Sequence, residues 1–125
     1  MQAKVKEKYG TEKKKKSKYG NRKAEANGIK FDSKKEARRY MELRQLETMG
    51  KISDLKLQHT FTLQEAFTTE EGQRVEAIRY IADFTYTEDG KFVVEDVKSP
   101  ATRSNPVYRV KNRMMAERGY TIREI

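Results

Sequence analysis

The sequence predicts an α/β protein in which helices flank a mixed central sheet, in the order helix, three strands, helix, strand. Three observations lead to this prediction. A helix signature begins at Ser33, a hairpin signature is centred on Asp89-Gly90, and a second helix signature begins at Asn105 and is followed by a final apolar segment. A chain of 125 residues is long enough for one core of modest size.

The first 20 residues are predicted to be a flexible basic arm, and residues 21–125 a single domain. Residues 1–23 contain ten Lys or Arg and two Glu, whereas the rest of the chain contains eighteen basic and seventeen acidic side chains. Such an arm is suited to nucleic acid because phosphate contacts release counterions, although a solubilising tail has the same composition. The arm residues expected to contact nucleic acid are Lys13, Lys14, Lys15 and Lys16.

The first helix is predicted to run from Ser33 to about Met49, after a turn at residue 28 and an extended stretch at 29–31. Ser33 and Glu36 have the spacing of a capping box, and Gly50 is suited to the position after the helix. The structural role of Glu36 would be to close that box and to favour the helix dipole. The expected apolar stripe consists of Ala37, Tyr40, Met41, Leu43, Leu46 and Met49.

The region between the first helix and the hairpin is predicted to contain one main strand. The segment at 52–57 is a short strand or an extended linker, and the first main strand is predicted from Phe61 to Phe67, with Phe61 and Leu63 on one side. His59, between these segments, is expected at the surface or in a satisfied edge position. A polar loop at 68–73 follows.

Two strands joined by a tight turn are predicted at 78–98. Both segments are rich in aromatic and β-branched residues, and the Asp89-Gly90 dipeptide between them is typical of a two-residue type I′ turn. A turn of this length fixes the register of the two strands. The predicted pairs are Glu88 with Lys91, Tyr86 with Val93, Phe84 with Glu95, and Asp83 with Asp96.

The predicted pair of carboxylates is the strongest functional signal in the chain. Asp83 and Asp96, directly opposite each other, would repel and destabilise the sheet. A divalent cation reverses that balance, because Mg²⁺ is held by one or two carboxylates together with waters and phosphate oxygens. Lys98 lies on the same face and would place a positive charge beside the metal. This combination indicates metal-assisted hydrolysis of a phosphodiester bond.

The second helix is predicted to begin at Asn105-Pro106, after a loop at 99–104, and to end at Gly119. A final strand is expected at 120–125. The buried side of this helix is predicted to consist of Val107, Val110 and Met114. Basic residues in the loop and on the helix are candidates for contacts with a phosphate backbone, although a charged helix face is usually solvated: Arg103, Arg109, Lys111 and Arg113.

Composition limits the remaining choices. The sequence has no cysteine and a single histidine, which excludes a disulfide framework, a thiolate zinc site and a His-rich metal site. Oxygen atoms are the metal ligands that remain. No apolar run is long enough for a signal peptide or a membrane helix, so we expect a cytoplasmic protein with no membrane partner.

The pattern of Asp83 followed thirteen residues later by Asp96-Val97-Lys98 resembles the signature of the PD-(D/E)XK nuclease superfamily. Residues 18–125 are also similar to an uncharacterised phage and prophage branch of it. Ala82 departs from the motif, which has proline there. The resemblance implies the restriction-endonuclease-like core αβββαβ, and it implies that Glu36 completes the metal shell. The similar segments are KYGNRK at 18–23, GIKFDSKKEARRY at 28–40, ISDLKLQ at 52–58, YIADF at 80–84 and VVEDVK at 93–98.

The leading interpretation is therefore an Mg²⁺-dependent DNA endonuclease, with Mn²⁺ expected to substitute. Asp83 and Asp96, with Glu36, would bind the metal, and Lys98 would position or activate the attacking water. The expected partner is duplex or branched DNA. The small size and the basic arm fit an enzyme similar to a Holliday-junction resolvase, which would cut two strands as a homodimer, in the bacterial cytoplasm if a phage encodes it.

A nuclease that makes nicks or cuts nonspecifically also stays open from the sequence, as do two functions of other classes. A catalytically silent DNA-binding accessory protein of a phage would have the same fold, although it would not need to keep the repulsive pair of Asp83 and Asp96. An RNA-binding module is favoured by the charge alone.

Overall fold

The computed structural model describes residues 24–125, which fall into two compact units that meet in sequence after Leu55. The basic arm predicted at 1–20, with Lys13, Lys14, Lys15 and Lys16, lies outside the described residues. The first unit contains a small antiparallel hairpin, β1 (Ala24–Ala26) and β2 (Ile29–Phe31), and helix α1 (Lys34–Thr48). Of these two strands, only β2 is predicted from the sequence, as the extended stretch at 29–31.

Helix α1 begins and ends as predicted. The hydroxyl oxygen of Ser33 accepts a hydrogen bond from the backbone N–H of Glu36 at 3.1 Å, and Gly50 follows the helix with a φ of +78°. The buried side of the helix is narrower than the predicted stripe, because Met41 and Met49 are exposed. The buried residues are Glu36, Ala37, Tyr40 and Leu43.

The second unit is built on a four-stranded sheet. Its elements in chain order are β3 (Ser53–Gln64, most of which lies in this unit), β4 (Phe67–Thr68), β5 (Arg74–Val75), β6 (Ile78–Glu88), β7 (Lys91–Asp96), the one-turn helix α2 (Pro100–Arg103), α3 (Pro106–Glu117) and β8 (Ile122–Glu124). The strand order is β3-β6-β7-β8, and β4 and β5 form a separate hairpin.

The sheet is mixed, because β6 and β7 are antiparallel whereas β7 and β8 are parallel. Taken along the chain, α1, β3, β6, β7, α3 and β8 follow the predicted order of helix, three strands, helix and strand. The α/β fold class is therefore confirmed. Among residues 24–125, no helix is long and apolar enough to cross a membrane.

The predicted hairpin register is confirmed where the ladder is formed. Glu88 pairs with Lys91, Tyr86 with Val93, and Phe84 with Glu95. The carboxylate of Glu95 accepts a hydrogen bond of 2.6 Å from the hydroxyl of Tyr86, on the face of the sheet away from Val94.

Strand β6 changes phase between Ala82 and Thr85. Thr85 pairs with Val94 and so shares its face, yet Tyr80 and Ala82 pack in the same core cluster as Val94. Strict alternation from Thr85 would turn both of these residues to the other face. The interruption therefore brings Tyr80 to the side of the sheet on which Asp96 lies.

Two predictions for β3 and α2 need correction. The two segments expected at 52–57 and 61–67 are joined in one strand of twelve residues, which ends at Gln64, and Phe67 belongs to the next strand, β4. Positive φ angles of 59° at Asp54 and 55° at Gln58 interrupt its regular pleat, as in a β-bulge. Because they break the alternation of side chains, the sequence pattern indicates two segments and not one strand. Helix α2 lies within the predicted loop, with Ser99 as its N-cap.

The predicted buried side of α3 holds only at Met114, which is half-buried and packs against the core cluster. Val107 and Val110 are 62% and 48% exposed, whereas Tyr108 and Met115 pack on the sheet. One position along a helix turns a side chain by about 100°, so a shift of one residue moves the buried side by more than a quarter of a turn. The core cluster consists of Leu63, Tyr80, Ala82, Val94, Tyr108, Met115 and Ile122.

Candidate active site

Asp83 and Asp96 lie next to each other at the end of the β6–β7 ladder. The backbone N–H of Asp83 donates to Asp96 Oδ1 at 3.2 Å, and the backbone N–H of Val97 donates to Asp83 Oδ2 at 2.9 Å. Each aspartate side chain thus accepts a hydrogen bond from the backbone of the opposite strand. These reciprocal bonds hold the two carboxylates together beyond the last regular pair of the hairpin.

Lys98 is in direct contact with this pair. Its Nζ lies 3.1 Å from Asp96 Oδ2, and the two side chains are only 15% and 4% exposed. The same ammonium lies 4.0 Å from the centroid of the Tyr108 ring, where a cation–π attraction holds it. Beyond Asp96 the chain stays bonded to the last strand, because the backbone N–H of Lys98 donates to the carbonyl of Ile125. The predicted trio of Asp83, Asp96 and Lys98 is therefore brought together.

Tyr80 is a member of the cluster that sequence reasoning missed. Its hydroxyl donates to Asp96 Oδ2 at 2.5 Å. Burial, followed by the negative charge of Asp96, raises the pKa of Tyr80 well above its usual value. Tyr80 therefore stays a neutral phenol at physiological pH and acts as a hydrogen-bond donor to Asp96.

A second missed group anchors the aromatic ring beside Lys98. The hydroxyl of Tyr108 donates to Glu124 Oε2 at 2.5 Å, and Arg103 Nε lies 3.4 Å from Glu124 Oε1. Burial, followed by the hydrogen bond to Glu124, raises the pKa of Tyr108. The contacts from Lys98 through Tyr108 and Glu124 thus reach Arg103, one of the residues expected to contact a phosphate backbone.

Gln58 connects the acid pair to the edge strand β3. Its side-chain amide donates to Asp83 Oδ1 at 3.4 Å. The neighbouring His59 is bonded through Nδ1 to the hydroxyl of Thr85 at 3.0 Å, so the expectation of a satisfied edge position for His59 is confirmed.

Glu36 belongs to the first unit. It lies in the first turn of α1 and is buried, and its backbone N–H makes one of the two bonds of the predicted capping box. Its place in the metal shell stays a prediction.

The remaining predicted contact residues differ in exposure. Arg109 and Arg113 are exposed on α3, one turn apart, while Lys111 is half-buried. Arg103 is half-exposed and paired with Glu124. Arg109 and Arg113 thus give the exposed side of α3 a basic character.

The carboxylates fit the requirements of Mg²⁺. Asp83 and Asp96 supply hard oxygen donors, and this ion is typically held by one or two carboxylates, with waters and phosphate oxygens as the other ligands. Within residues 24–125 no three Asp, Glu, His or Cys side chains are grouped so as to hold a metal ion. Asp83 and Asp96 are the two carboxylates that the structure brings together for a metal, and Glu36 as a third ligand stays a prediction.

The chain belongs to the family described as "Protein of unknown function (DUF1064)", whose model matches residues 16–124. The match covers all four residues of the predicted site. No curated protein gives a significant match to the chain, and no solved structure does.

Proposed function

We propose that this chain is an Mg²⁺-dependent DNA endonuclease of the PD-(D/E)XK superfamily. The observation that supports the proposal most strongly is the contact of Lys98 with a buried aspartate, Asp96, whose neighbour across the hairpin is Asp83. A buried charge is costly unless it is paired. A cluster of two carboxylates and one lysine at the end of a hairpin is more than the fold requires, and it has the composition needed for metal-assisted phosphodiester hydrolysis.

The residues would divide the chemistry as follows. Asp83 and Asp96, with Glu36, would hold the ion, and Mn²⁺ is expected to replace Mg²⁺. When bound, the ion supplies positive charge that stabilises the negative charge developing on the phosphate. Lys98 would orient the attacking water and neutralise part of the same charge. Tyr80 keeps Asp96 in position through its hydroxyl.

Recognition of DNA would depend on its backbone and shape. The basic residues Arg103, Arg109, Lys111 and Arg113 are suited to phosphate contacts, which position DNA without reading its sequence. The basic N-terminal arm would add to this attraction. Branched DNA, cut by a homodimer in the manner of a Holliday-junction resolvase, is the substrate that we favour.

One observation favours a second function, a catalytically silent DNA-binding accessory protein. Asp96 Oδ2 already contacts both the Tyr80 hydroxyl and the Lys98 ammonium. These two donors compensate the negative charge of Asp96 without a metal. A protein that had lost catalysis would then keep these residues for stability. In that case it would bind DNA equally well with and without Mg²⁺ and would not cut it.

The substrate is tested by presenting linear duplex, single-stranded, flap and four-way-junction DNA to the full chain with Mg²⁺ and mapping the cuts. We expect cleavage near the branch point of the flap or junction, and no cleavage in EDTA. Asp96→Asn, which removes one negative charge and one metal ligand, is expected to abolish the cuts. Equal cutting by Asp96→Asn and wild type would assign the activity to a contaminant and reject the proposal.

A further inference from the structure

Four rings are grouped on one face of the main sheet. His59 and Phe61 come from β3, Phe92 from β7, and Tyr120 from the segment before β8. His59 is stacked on Phe61, with centroids 4.6 Å apart and planes 19° apart. Phe61 and Phe92 lie 5.2 and 6.0 Å from Tyr120, and His59 lies 6.0 Å from Phe92. We call these four residues the ring cluster.

The ring cluster is partly open to solvent, although Phe61 and Tyr120 also pack against the core cluster. Phe92 is 47% exposed, and the other three rings are half-buried. A single exposed phenylalanine needs no explanation. Phe92, however, meets the three other rings nearly edge-on, at 63° to 68°, and the four rings together make an aromatic patch of the kind that binds a ligand. Its side chains are planar rings and include none of the branched aliphatic groups that fill the neighbouring core.

The ring cluster is continuous with the candidate active site. The positive φ of Gln58 lets two successive residues of β3 contact β6, so that Gln58 bonds to Asp83 while His59 bonds to Thr85. Phe92 lies four residues before Asp96 on the same strand and the same face, a distance of about 13 Å at the rise of a β-strand. A chain bound on the rings would therefore pass close to the acid pair.

A positive charge is fixed at the border of the ring cluster. Arg118, at the end of α3, is exposed and its guanidinium donates to the carbonyl of Leu63, two residues beyond Phe61. An exposed guanidinium held on β3, the strand that carries His59 and Phe61, suits a ligand that combines flat bases with phosphates.

We propose that the ring cluster binds unpaired bases of a DNA strand. Bases stack on aromatic side chains irrespective of sequence, but in a duplex each base face is already covered by the next base pair. The inference rests on the proposed function for its consequence, namely that the nuclease selects DNA with a single-stranded segment beside the cut, such as a flap or an open branch. The binding itself does not depend on catalysis.

Binding is measured with the full chain in EDTA, so that no DNA is cut. The probes are a single-stranded oligonucleotide of about 12 nucleotides, within the usual range of single-strand site sizes, and a blunt duplex of the same sequence. One 2-aminopurine in the single strand reports stacking through loss of its fluorescence. Phe67, which is 46% exposed and lies in the separate β4–β5 hairpin, provides a matched control.

Phe92→Ala is expected to weaken single-strand binding about fivefold or more and to remove the fluorescence loss, with little change in duplex binding. Phe67→Ala should bind both probes as wild type does. Phe92→Tyr keeps a ring and should restore single-strand binding, whereas Phe92→Leu keeps apolar packing without a ring and should not.

Three outcomes would overturn the inference. One is wild-type single-strand binding by Phe92→Ala and Phe92→Leu, and another is an equal loss of binding for both probes. The third is a change of oligomeric state in Phe92→Ala with unchanged DNA binding, which would assign the ring cluster to contact with a second copy.

If wild type binds single strands through Phe92 but cuts no DNA with Mg²⁺, the nuclease proposal fails and this inference stands. If Phe92→Ala cuts branched DNA as wild type does and binds single strands equally well, this inference fails and the nuclease proposal stands.

Discussion

Asp96 carries a buried negative charge that three donors surround. The hydroxyl of Tyr80, the ammonium of Lys98 and the backbone N–H of Asp83 all lie within hydrogen-bond distance of its carboxylate. Sequence reasoning expected repulsion between Asp83 and Asp96 to destabilise the sheet. The donors compensate the charge instead, so the same residues that would serve catalysis also allow the hairpin to form without a metal.

The raised pKa of Tyr80 predicts a loss of stability at alkaline pH. An unfolded tyrosine loses its proton above about pH 10, whereas burial and Asp96 keep the folded Tyr80 protonated. The stability that Tyr80 contributes is therefore complete below about pH 10 and is lost as the pH rises further. Between about pH 10 and 11, the free energy of unfolding should fall more steeply in wild type than in Tyr80→Phe, by up to about 1.4 kcal/mol.

Urea denaturation at each pH measures this difference. The two proteins should show parallel pH dependence between about pH 7 and 9, where tyrosine is protonated in both states, and this range serves as the control. Parallel curves above pH 10 as well would mean that Tyr80 is not held as the structure places it.

The sequence alone identifies only some of the residues of the site. Asp83, Asp96 and Lys98 were identified because a two-residue turn fixes which residues of a hairpin face each other. Tyr80 was missed because regular alternation places it on the other face, and only the phase change before Thr85 turns it towards Asp96. Tyr108 and Glu124 were missed because their contact joins a helix to a strand 16 residues away, which no local pattern reveals.

At the scale of elements, α3 shows the limit of helical periodicity. Val107, Val110 and Met114 have the spacing of a buried stripe, but so do Tyr108 and Met115, which are the buried residues of the helix. Of the predicted stripe, only Met114 packs against the core. The choice depends on partners outside the helix, since the Tyr108 hydroxyl bonds to Glu124 and its ring contacts Lys98. The Asp89-Gly90 turn, by contrast, contained enough local information to fix a register. The Asn27-Gly28 dipeptide is a similar signal and would have located β1.

The observed buried side of α3 predicts very different stabilities for two alanine variants of this helix. Met115→Ala removes a fully buried side chain and should lower the free energy of unfolding by about 2–5 kcal/mol. Val107→Ala changes an exposed side chain and should alter it by no more than about 0.5 kcal/mol. Chemical denaturation of both variants measures these changes. A larger loss of unfolding free energy in Val107→Ala than in Met115→Ala would mean that Val107 lies on the buried side of α3, as the sequence predicts.

Glu36 in α1 has a structural role and a proposed catalytic role, and one substitution separates them. Glu36→Gln can keep the capping box but removes the negative charge of a metal ligand. We expect Glu36→Gln to lose Mg²⁺-dependent cleavage with little change in Tm. Ser33→Ala, which removes the cap that the structure shows, should instead lower stability by about 1 kcal/mol and keep cleavage. Full activity in Glu36→Gln would show that Glu36 has only a structural role, at the start of α1.

For the whole molecule, the distribution of charge separates the arm from the domain. Of the net charge of +9, residues 1–23 contribute nearly all. Deleting residues 1–17 should leave the domain folded but weaken DNA binding, most visibly at low salt, because the lost contacts are to phosphates. The slope of log K against log salt, measured by fluorescence anisotropy, should become shallower. An unchanged affinity and slope would reduce the arm to a solubilising role.

The central claim is that Asp83, Asp96 and Lys98 form a metal-dependent hydrolytic site. Its most direct test is nicking, over a Mg²⁺ titration, of a supercoiled plasmid with an extruded cruciform, which supplies the branched DNA that we favour as the substrate. Wild type should nick the plasmid only when Mg²⁺ or Mn²⁺ is present. Lys98→Ala, which removes the charge beside the phosphate, should be slower by about 10²- to 10³-fold, while Lys51→Ala, the same change at an exposed position outside the site, should match wild type. No Mg²⁺-dependent nicking by wild type, or equal rates for Lys98→Ala and Lys51→Ala, would contradict the account.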